Sequence, residues 1–324
     1  MSKVEVVDGV ARFAAEVREF LLRAPRQLPS RYFYDPLGSA LFEAICQLPW
    51  YGITRAESRL LERHRDELHA RLDRLARVIE LGPGNGDKLR ILLEARRRPA
   101  ELDVHLVDVS ENALSTAADT LNRLGVRIFT QAAEYKTGLR EIRSGADTAG
   151  GTLVLFLGSN IGNFDPPQAS ALLRGIRENL SEGDALLLGT DLVKPERDLQ
   201  FAYDDPLGVT AAFNRNLLVR INRELGGDFD VGEFAHHAVW NADHSRVEMH
   251  LVARTRQRVR IRLADLDFTM AAGEHIWTES SYKYRPDDVS RMLDTLDFRV
   301  TGSWIDDRDG FLLTLAEARR SSSA

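Results

Sequence analysis

Three glycines at alternate positions, Gly82, Gly84 and Gly86, follow a short β-branched run, Val78-Ile79, that ends in Glu80. A helical pattern of Leu89, Leu92 and Leu93 begins near Lys88. Strand, glycine turn and helix in that order let a backbone approach a nucleotide-like ligand closely. A dinucleotide fingerprint reads G-x-G-x-x-G and would place its third glycine at Asp87, whereas this chain reads G-x-G-x-G. Taken alone, the run is equally an ordinary tight turn. A second apolar run, Val104-His-Leu-Val-Asp108, ends in Asp108, where an acid meets ribose hydroxyls at the tip of the next strand. Two further loops carry unusual polar residues, Ala133-Glu-Tyr135 and Gly158-Ser-Asn-Ile-Gly-Asn163. Asparagine offers both a donor and an acceptor, so Asn163 suits an amino-acid carboxylate. Alternatively, Asn160 and Asn163 terminate a strand through local backbone bonds.

Those loops need strands to carry them. From residue 78 short apolar runs alternate with helical segments: Val78–Leu81, Val104–Val109, Arg127–Ala132, Thr152–Gly158 and Ala185–Thr190. Such alternation predicts a parallel sheet covered on both faces. Ahead of it, Val10, Phe13, Val17, Phe20 and Leu21 recur with helical period, and Pro25 and Pro29 end that pattern. The aromatic, turn-rich loop Ser30–Ser39 follows, read as a packing clasp rather than a lid, then a helix through Leu41, Phe42, Ile45 and Leu48. Thr54 is placed to cap the next helix, with Glu57 completing a capping box. Residues 192 to 285 interrupt the rhythm as a long insertion, with helical patterning at Phe213, Leu217, Leu218 and Ile221 and two alternating runs, Arg246–Arg254 and Arg258–Leu263. Those runs predict antiparallel strands with one wet face. Pro286 starts a helix, and strands Phe298–Ile305 and Gly310–Ala316 flank an Asp-rich turn.

Composition narrows the class. The chain has 324 residues, 44% hydrophobic and 28% charged, with a net charge of -6, which suits a water-soluble globular protein of one large or two ordinary domains. Arg96-Arg97-Arg98 sits where a helix C-terminus is expected, and no domain-scale basic footprint points to nucleic acid. The single cysteine, Cys46, excludes an internal disulfide and a cysteine metal site, consistent with a reducing cytoplasm. No apolar run approaches the roughly 18 residues of a membrane span, and no signal-peptide pattern is present.

Over about residues 12 to 316 the chain resembles the histidine-specific Nα-methyltransferases of ergothioneine biosynthesis, which depend on S-adenosylmethionine. The blocks that carry the resemblance are Ser30–Asp35, Leu48-Pro49, Thr54-Arg55, Phe156–Asn163, Leu187–Lys194, Tyr203-Asp-Asp205, Gly208–Asn216 and Thr278–Ser281. The G-x-G-x-G turn is likewise the habit of S-adenosylmethionine-dependent methyltransferases. The resemblance implies an α/β, class I methyltransferase (Rossmann-like) sheet closed by an antiparallel hairpin, plus a second α+β substrate-binding domain. The expected division is 1–55 with 192–285 for the substrate domain and 56–191 with 286–318 for the cofactor domain, leaving 319–324 as a disordered tail. A ligand pocket between two domains is the default expectation.

The resemblance further implies three successive methyl transfers to the α-amine of L-histidine, giving hercynine and S-adenosylhomocysteine, in a cytoplasmic monomer that needs no metal, nucleic acid or membrane. It assigns cofactor contacts to Tyr34, Gly82, Gly84, Lys88, Asp108, Glu134 and Tyr135. It assigns the substrate pocket to Tyr51, Asn163, Tyr203, Met249, Glu279 and Ser281, with Tyr34 and the Gly158 carbonyl at the reacting amine. Read from pattern alone, Glu279 is as well a surface residue and Met249 a core residue beside Val247 and Leu251. The chain departs from the family where Pro83–Asp87 replaces a Ser/Thr-rich turn, Gly52-Ile53 replaces Tyr-Pro, and Glu134-Tyr135 replaces Asp-Phe. The same chemistry on another amino acid or small amine is the alternative those departures raise.

Overall fold

The computed structural model describes residues 3–72, 75–94, 101–144 and 150–320. The chain opens with α1 (Lys3–Leu21), the short strand β1 (Arg26–Gln27), α2 (Pro36–Gln47) and α3 (Ile53–Arg71). Strands and helices then alternate: β2 (Leu75–Leu81), α4 (Asp87–Leu93), β3 (Asp103–Asp108), α5 (Glu111–Leu121), β4 (Arg127–Ala132), α6 (Tyr135–Ser144), β5 (Gly151–Phe156), α7 (Pro166–Glu178) and β6 (Ala185–Asp191). After α8 (Glu196–Tyr203) and α9 (Val209–Leu225) come β7 (Phe234–Asn241), β8 (Arg246–Ala253), β9 (Gln257–Ile261), β10 (Leu266–Met270) and β11 (His275–Tyr282). Helix α10 (Pro286–Asp294), β12 (Phe298–Asp306) and β13 (Phe311–Ala318) follow.

Two compact units result, one from residues through Tyr51 with Lys194–Ser281, the other from Gly52–Val193 with the residues from Tyr282 onward. The observed seams fall a few residues away from 55/56, 191/192 and 285/286. Helix α3 belongs wholly to the second unit because its side chains are bonded into the sheet: Arg59 clamps both Asp306 and Asp309. Residues 282 to 285 join the same unit because the Tyr284 N–H donates to the Asp191 carbonyl at 2.9 Å and Lys283 pairs with the Asp191 carboxylate.

Among the described residues the second unit holds a seven-stranded sheet in the order β12-β13-β6-β5-β2-β3-β4. The five strands from β4 to β6 are parallel, and β13 and β12 complete the sheet antiparallel. Continuous burial along β5 and β6 matches their apolar runs Leu153–Phe156 and Ala185–Leu188, as expected for strands covered on both faces. One apolar layer joins Leu81, Val154, Phe156 and Leu188 of the sheet to Leu172, Leu173 and Ile176 of α7 and Val289 and Leu293 of α10. Strand β2 lies between β3 and β5, so the winding reverses at its carboxyl end, where α/β sheets bind ligands.

The first unit combines helices with a β1-β11-β8-β7 sheet and a separate β9-β10 pair. Strand β8 shows the expected alternation of buried and wet positions. The two alternating runs do not pair with each other: β8 pairs antiparallel with β7, and β9 with β10. Asp35 caps α2 by accepting the Gly38 N–H at 2.7 Å and is fastened to α9 by Asn216 at 2.7 Å and Arg223 at 2.6 Å. These charged and amide donors hold its carboxyl below the usual range despite its burial.

The capping box expected at α3 is absent. The helix starts at Ile53 with Gly52 as its cap residue and no side-chain cap bond, and the Glu57 side chain is committed elsewhere. Gly52 itself makes room for Asp309, whose carboxylate would overlap any Cβ at that position. The residues Arg96-Arg97-Arg98 and 321–324 of the expected tail lie outside the described residues. Arg319 is tied down by its N–H to the Asp297 carbonyl at 2.9 Å.

Candidate active site

In the sheet unit, the turn after β2 places Gly82, Gly84 and Gly86 at φ of 72°, 58° and 81°, a region that only glycine enters without strain. The Gly82 N–H donates to the Val107 carbonyl at 2.9 Å, tying the turn to the end of β3. A Cβ at Gly82 would stand 2.8 Å from both the Tyr135 hydroxyl and the Asn160 amide. The turn is therefore a cradle kept open by missing side chains, with two polar groups converging on it. At the tip of β3, Asp108 accepts the Ser110 N–H at 2.8 Å, and burial raises its pKa above the ordinary carboxylate value. Tyr135 begins α6 and packs its ring edge-on to Phe156 at 5.6 Å; burial and then Asp108 push its hydroxyl pKa upward, so it stays a neutral donor. The structure thus brings Gly82, Asp108 and Tyr135 to one end of the sheet, with Glu134 immediately before α6.

The loop after β5 adds a second feature. Gly158 and Ser159 have φ of 72° and 56°, two successive left-handed residues, and the Asn160 N–H returns to the Leu157 carbonyl at 3.3 Å. This is the pattern of a type I′ turn. Ser159 is held there by its hydroxyl, which accepts the Asp191 N–H at 2.9 Å. Asp191 in turn pairs with Lys283 at 2.9 Å, both side chains almost wholly enclosed. The Gly158 N–H donates to both oxygens of Glu57 at 3.0 and 2.8 Å, and Lys88 meets the same carboxylate at 2.5 Å. Glu80, fully buried beside this group, is pushed up to about 8 mainly by burial and further by Glu57, against the pull of Lys88. Asn163 closes the 3-10 turn Asn160–Asn163 and is half-buried.

In the other unit, rings run in succession from Tyr34 to Phe42 (5.6 Å), Tyr51 (6.2 Å) and Tyr203 (6.3 Å). The Tyr203 hydroxyl then meets the Ser281 hydroxyl at 2.8 Å in a buried pair. Glu279 lies two residues before Ser281 on β11, half-buried, and its carbonyl accepts the Trp277 indole N–H at 2.8 Å. Met249 is buried on the apolar face of β8, and Thr278 bonds its carbonyl at 2.9 Å. Beneath these groups runs a polar relay. His236 donates from Nε2 to the Tyr203 carbonyl at 2.7 Å and accepts the Asn214 amide at Nδ1 at 2.8 Å. The Asn214 oxygen accepts the Thr278 hydroxyl at 2.8 Å. Burial lowers the pKa of His236, consistent with a neutral ring that donates at one nitrogen and accepts at the other.

Sequence pattern had not singled out Glu57, Glu80, Lys283 or His236 as parts of a site. A signal existed for Glu57, an acid in helical register with the apolar positions Ile53, Leu60 and Leu61, but the capping-box reading absorbed it. Glu80 was legible only as a strand residue. Among the described residues no group of three or more His, Cys, Asp or Glu side chains is placed to hold a metal ion, and no helix is long and apolar enough to cross a membrane.

Comparison with known proteins gives consistent results. A family model described as histidine-specific methyltransferase, SAM-dependent, matches residues 13–318. Histidine N-alpha-methyltransferase of Mycolicibacterium smegmatis is 42% identical over 93% of this chain and 93% of its own length. The protein of the same name from Mycobacterium tuberculosis is also 42% identical, again over 93% of each chain. Ergothioneine biosynthesis protein 1 of Neurospora crassa is 28% identical over 92% of this chain and 34% of its own length.

Proposed function

This chain belongs to the histidine-specific, S-adenosylmethionine-dependent methyltransferase family, and we propose that it methylates the α-amine of free L-histidine three times, giving hercynine for an ergothioneine-type biosynthesis. It acts in this reading as a cytoplasmic monomer without a metal. The open glycine cradle at Gly82, Gly84 and Gly86 and the buried polar groups around it suit S-adenosylmethionine. We assign its contacts to Tyr34, Gly82, Gly84, Lys88, Asp108, Glu134 and Tyr135. When bound, it supplies an electrophilic sulfonium methyl group and leaves as S-adenosylhomocysteine.

The remaining work falls to the protein. A free amine near neutral pH is mostly protonated and carries no lone pair, so the neutral form must be selected on binding. The Gly158 carbonyl and the Tyr34 hydroxyl accept amine N–H bonds without contributing a positive charge, and the released proton passes to solvent. Holding the nitrogen in line with the methyl group is then the main catalytic effect, which alignment alone can make worth several kcal/mol. Asn163 and Tyr203 take the carboxylate, Tyr51 and Met249 wall the side chain, and Glu279 and Ser281 take the two imidazole nitrogens. A buried pocket that pairs both nitrogens rejects amino acids that lack them, because its own polar groups are then left without partners.

The observation that carries the substrate assignment is the buried Tyr203–Ser281 pair at 2.8 Å, whose serine lies on the strand that also bears Glu279. Mass spectrometry of the product from L-histidine and S-adenosylmethionine tests the reaction, with three methyl increments expected. Calorimetry tests the pocket: Glu279→Ala should weaken histidine binding, and equal affinity for variant and wild type would remove Glu279 from the imidazole site.

A further inference from the structure

Glu57 has no part in the roles assigned above, yet it is fully buried, at 0% exposure. A buried carboxylate is costly unless it is paired and hydrogen-bonded, and two groups satisfy this one. The Gly158 N–H donates to both oxygens, and the Lys88 ammonium sits 2.5 Å from Oε2. Glu57 is also provided with space. Strand β6 is buried along its whole length, yet it carries a glycine at its fifth position, and a Cβ at Gly189 would overlap Glu57 Oε1. No positive φ requires that glycine; the carboxylate does. Nearby Glu80 is held neutral by burial, and it is Glu57 that the Lys88 ammonium meets.

We propose that Glu57 is a positioning residue for methyl transfer: seated in the slot left by Gly189, its carboxylate locks the Gly158 peptide and the Lys88 ammonium together. The turn at Gly158 is then pinned at three points, by Glu57 on its N–H, by the Asn160 N–H on the Leu157 carbonyl, and by the Asp191 N–H on Ser159. Its geometry is set before any substrate arrives. Lys88 has three donors, so the pair still leaves it N–H groups to offer a ligand. The inference rests on the roles proposed above for Gly158 and Lys88, because it concerns the same reaction.

The test uses Gly189→Ala, which touches neither substrate nor cofactor, together with Glu57→Gln and Glu57→Asp. In the wild type the Gly158 amide proton should resonate well downfield, since a charge-assisted bond to a carboxylate is short and strong. In Gly189→Ala and Glu57→Gln that resonance should move upfield and kcat should fall about 10²-fold, the effect of a misplacement near 1 Å. KM for histidine should stay unchanged, and Glu57→Asp should recover part of kcat. An ordinary Gly158 amide position in the wild type overturns the proposal without any variant. It is also overturned by unchanged kcat in a folded Gly189→Ala or Glu57→Gln, or by kcat losses that merely follow a lower melting temperature. If the wild type fails to methylate histidine, the proposed function falls, while the Gly158 resonance and S-adenosylmethionine affinity of the same variants still decide what Glu57 does.

Discussion

Glu80, next to last in β2, has 1% of its surface exposed, and its Oε2 has no hydrogen-bond partner among the described residues. Burial raises the carboxyl from an ordinary 4.5 to about 8, with Glu57 adding to the shift and Lys88 opposing it. A raised folded-state pKa means the protonated form is the one the fold accepts. The stability it allows is complete below about pH 4.5 and is lost as pH rises through about 8. Each pH unit in that window is worth about 1.4 kcal/mol, so the whole loss is about 5 kcal/mol, a large fraction of a typical folding free energy. Glu80→Gln keeps the shape of the neutral acid and cannot ionise. Its stability relative to wild type should therefore be offset by a constant near pH 4 and improve by about 5 kcal/mol by pH 9. Urea unfolding of both proteins in half-unit steps from about pH 4 to 9, at fixed ionic strength, measures this gap. Parallel stability profiles would refute the claim that Glu80 folds as a neutral acid.

Three further outcomes follow from the geometry. Lys283→Met removes the ammonium that pairs with the enclosed Asp191 carboxylate, and should cost about 3–5 kcal/mol in urea unfolding; the double variant with Asp191→Leu should recover most of the loss. Gly82→Ala adds a Cβ 2.8 Å from two polar groups at a φ of 72°, and the strain of about 1–2 kcal/mol should weaken S-adenosylmethionine binding about tenfold by calorimetry. His236 has a pKa lowered by burial, so its contribution to stability is present above the ordinary 6.5 and lost as pH falls through the folded value. Nitrogen NMR should find its ring as the neutral Nε2–H tautomer at pH 6.5, and a doubly protonated ring there would contradict the relay to Asn214.

Much of this protein was readable along the chain because the signals are local. A β-branched run, three glycines and a helical leucine pattern between Val78 and Leu93 dictate strand, turn and helix, and Gly82, Gly84 and Gly86 do adopt the left-handed angles that such a turn requires. The alternation of strands and helices from residue 78 dictated a mostly parallel sheet, and the Asp-rich turn before Phe311 dictated its closing hairpin. Sequence blocks such as Gly208–Asn216 carried the family. The cap of α3 departs from its local pattern for the converse reason. Glu57 three residues after Thr54 satisfies a local capping rule, but a backbone N–H 101 residues away competes for the same carboxylate and wins, because that partnership is buried and shared with a lysine. Likewise nothing within a few residues of Glu80, Lys283 or His236 says that each is enclosed. Propensity and spacing act over one or two turns of chain, whereas the electrostatics of a buried group depend on which distant segments exclude water from it and which donors they bring, and only the folded structure decides that.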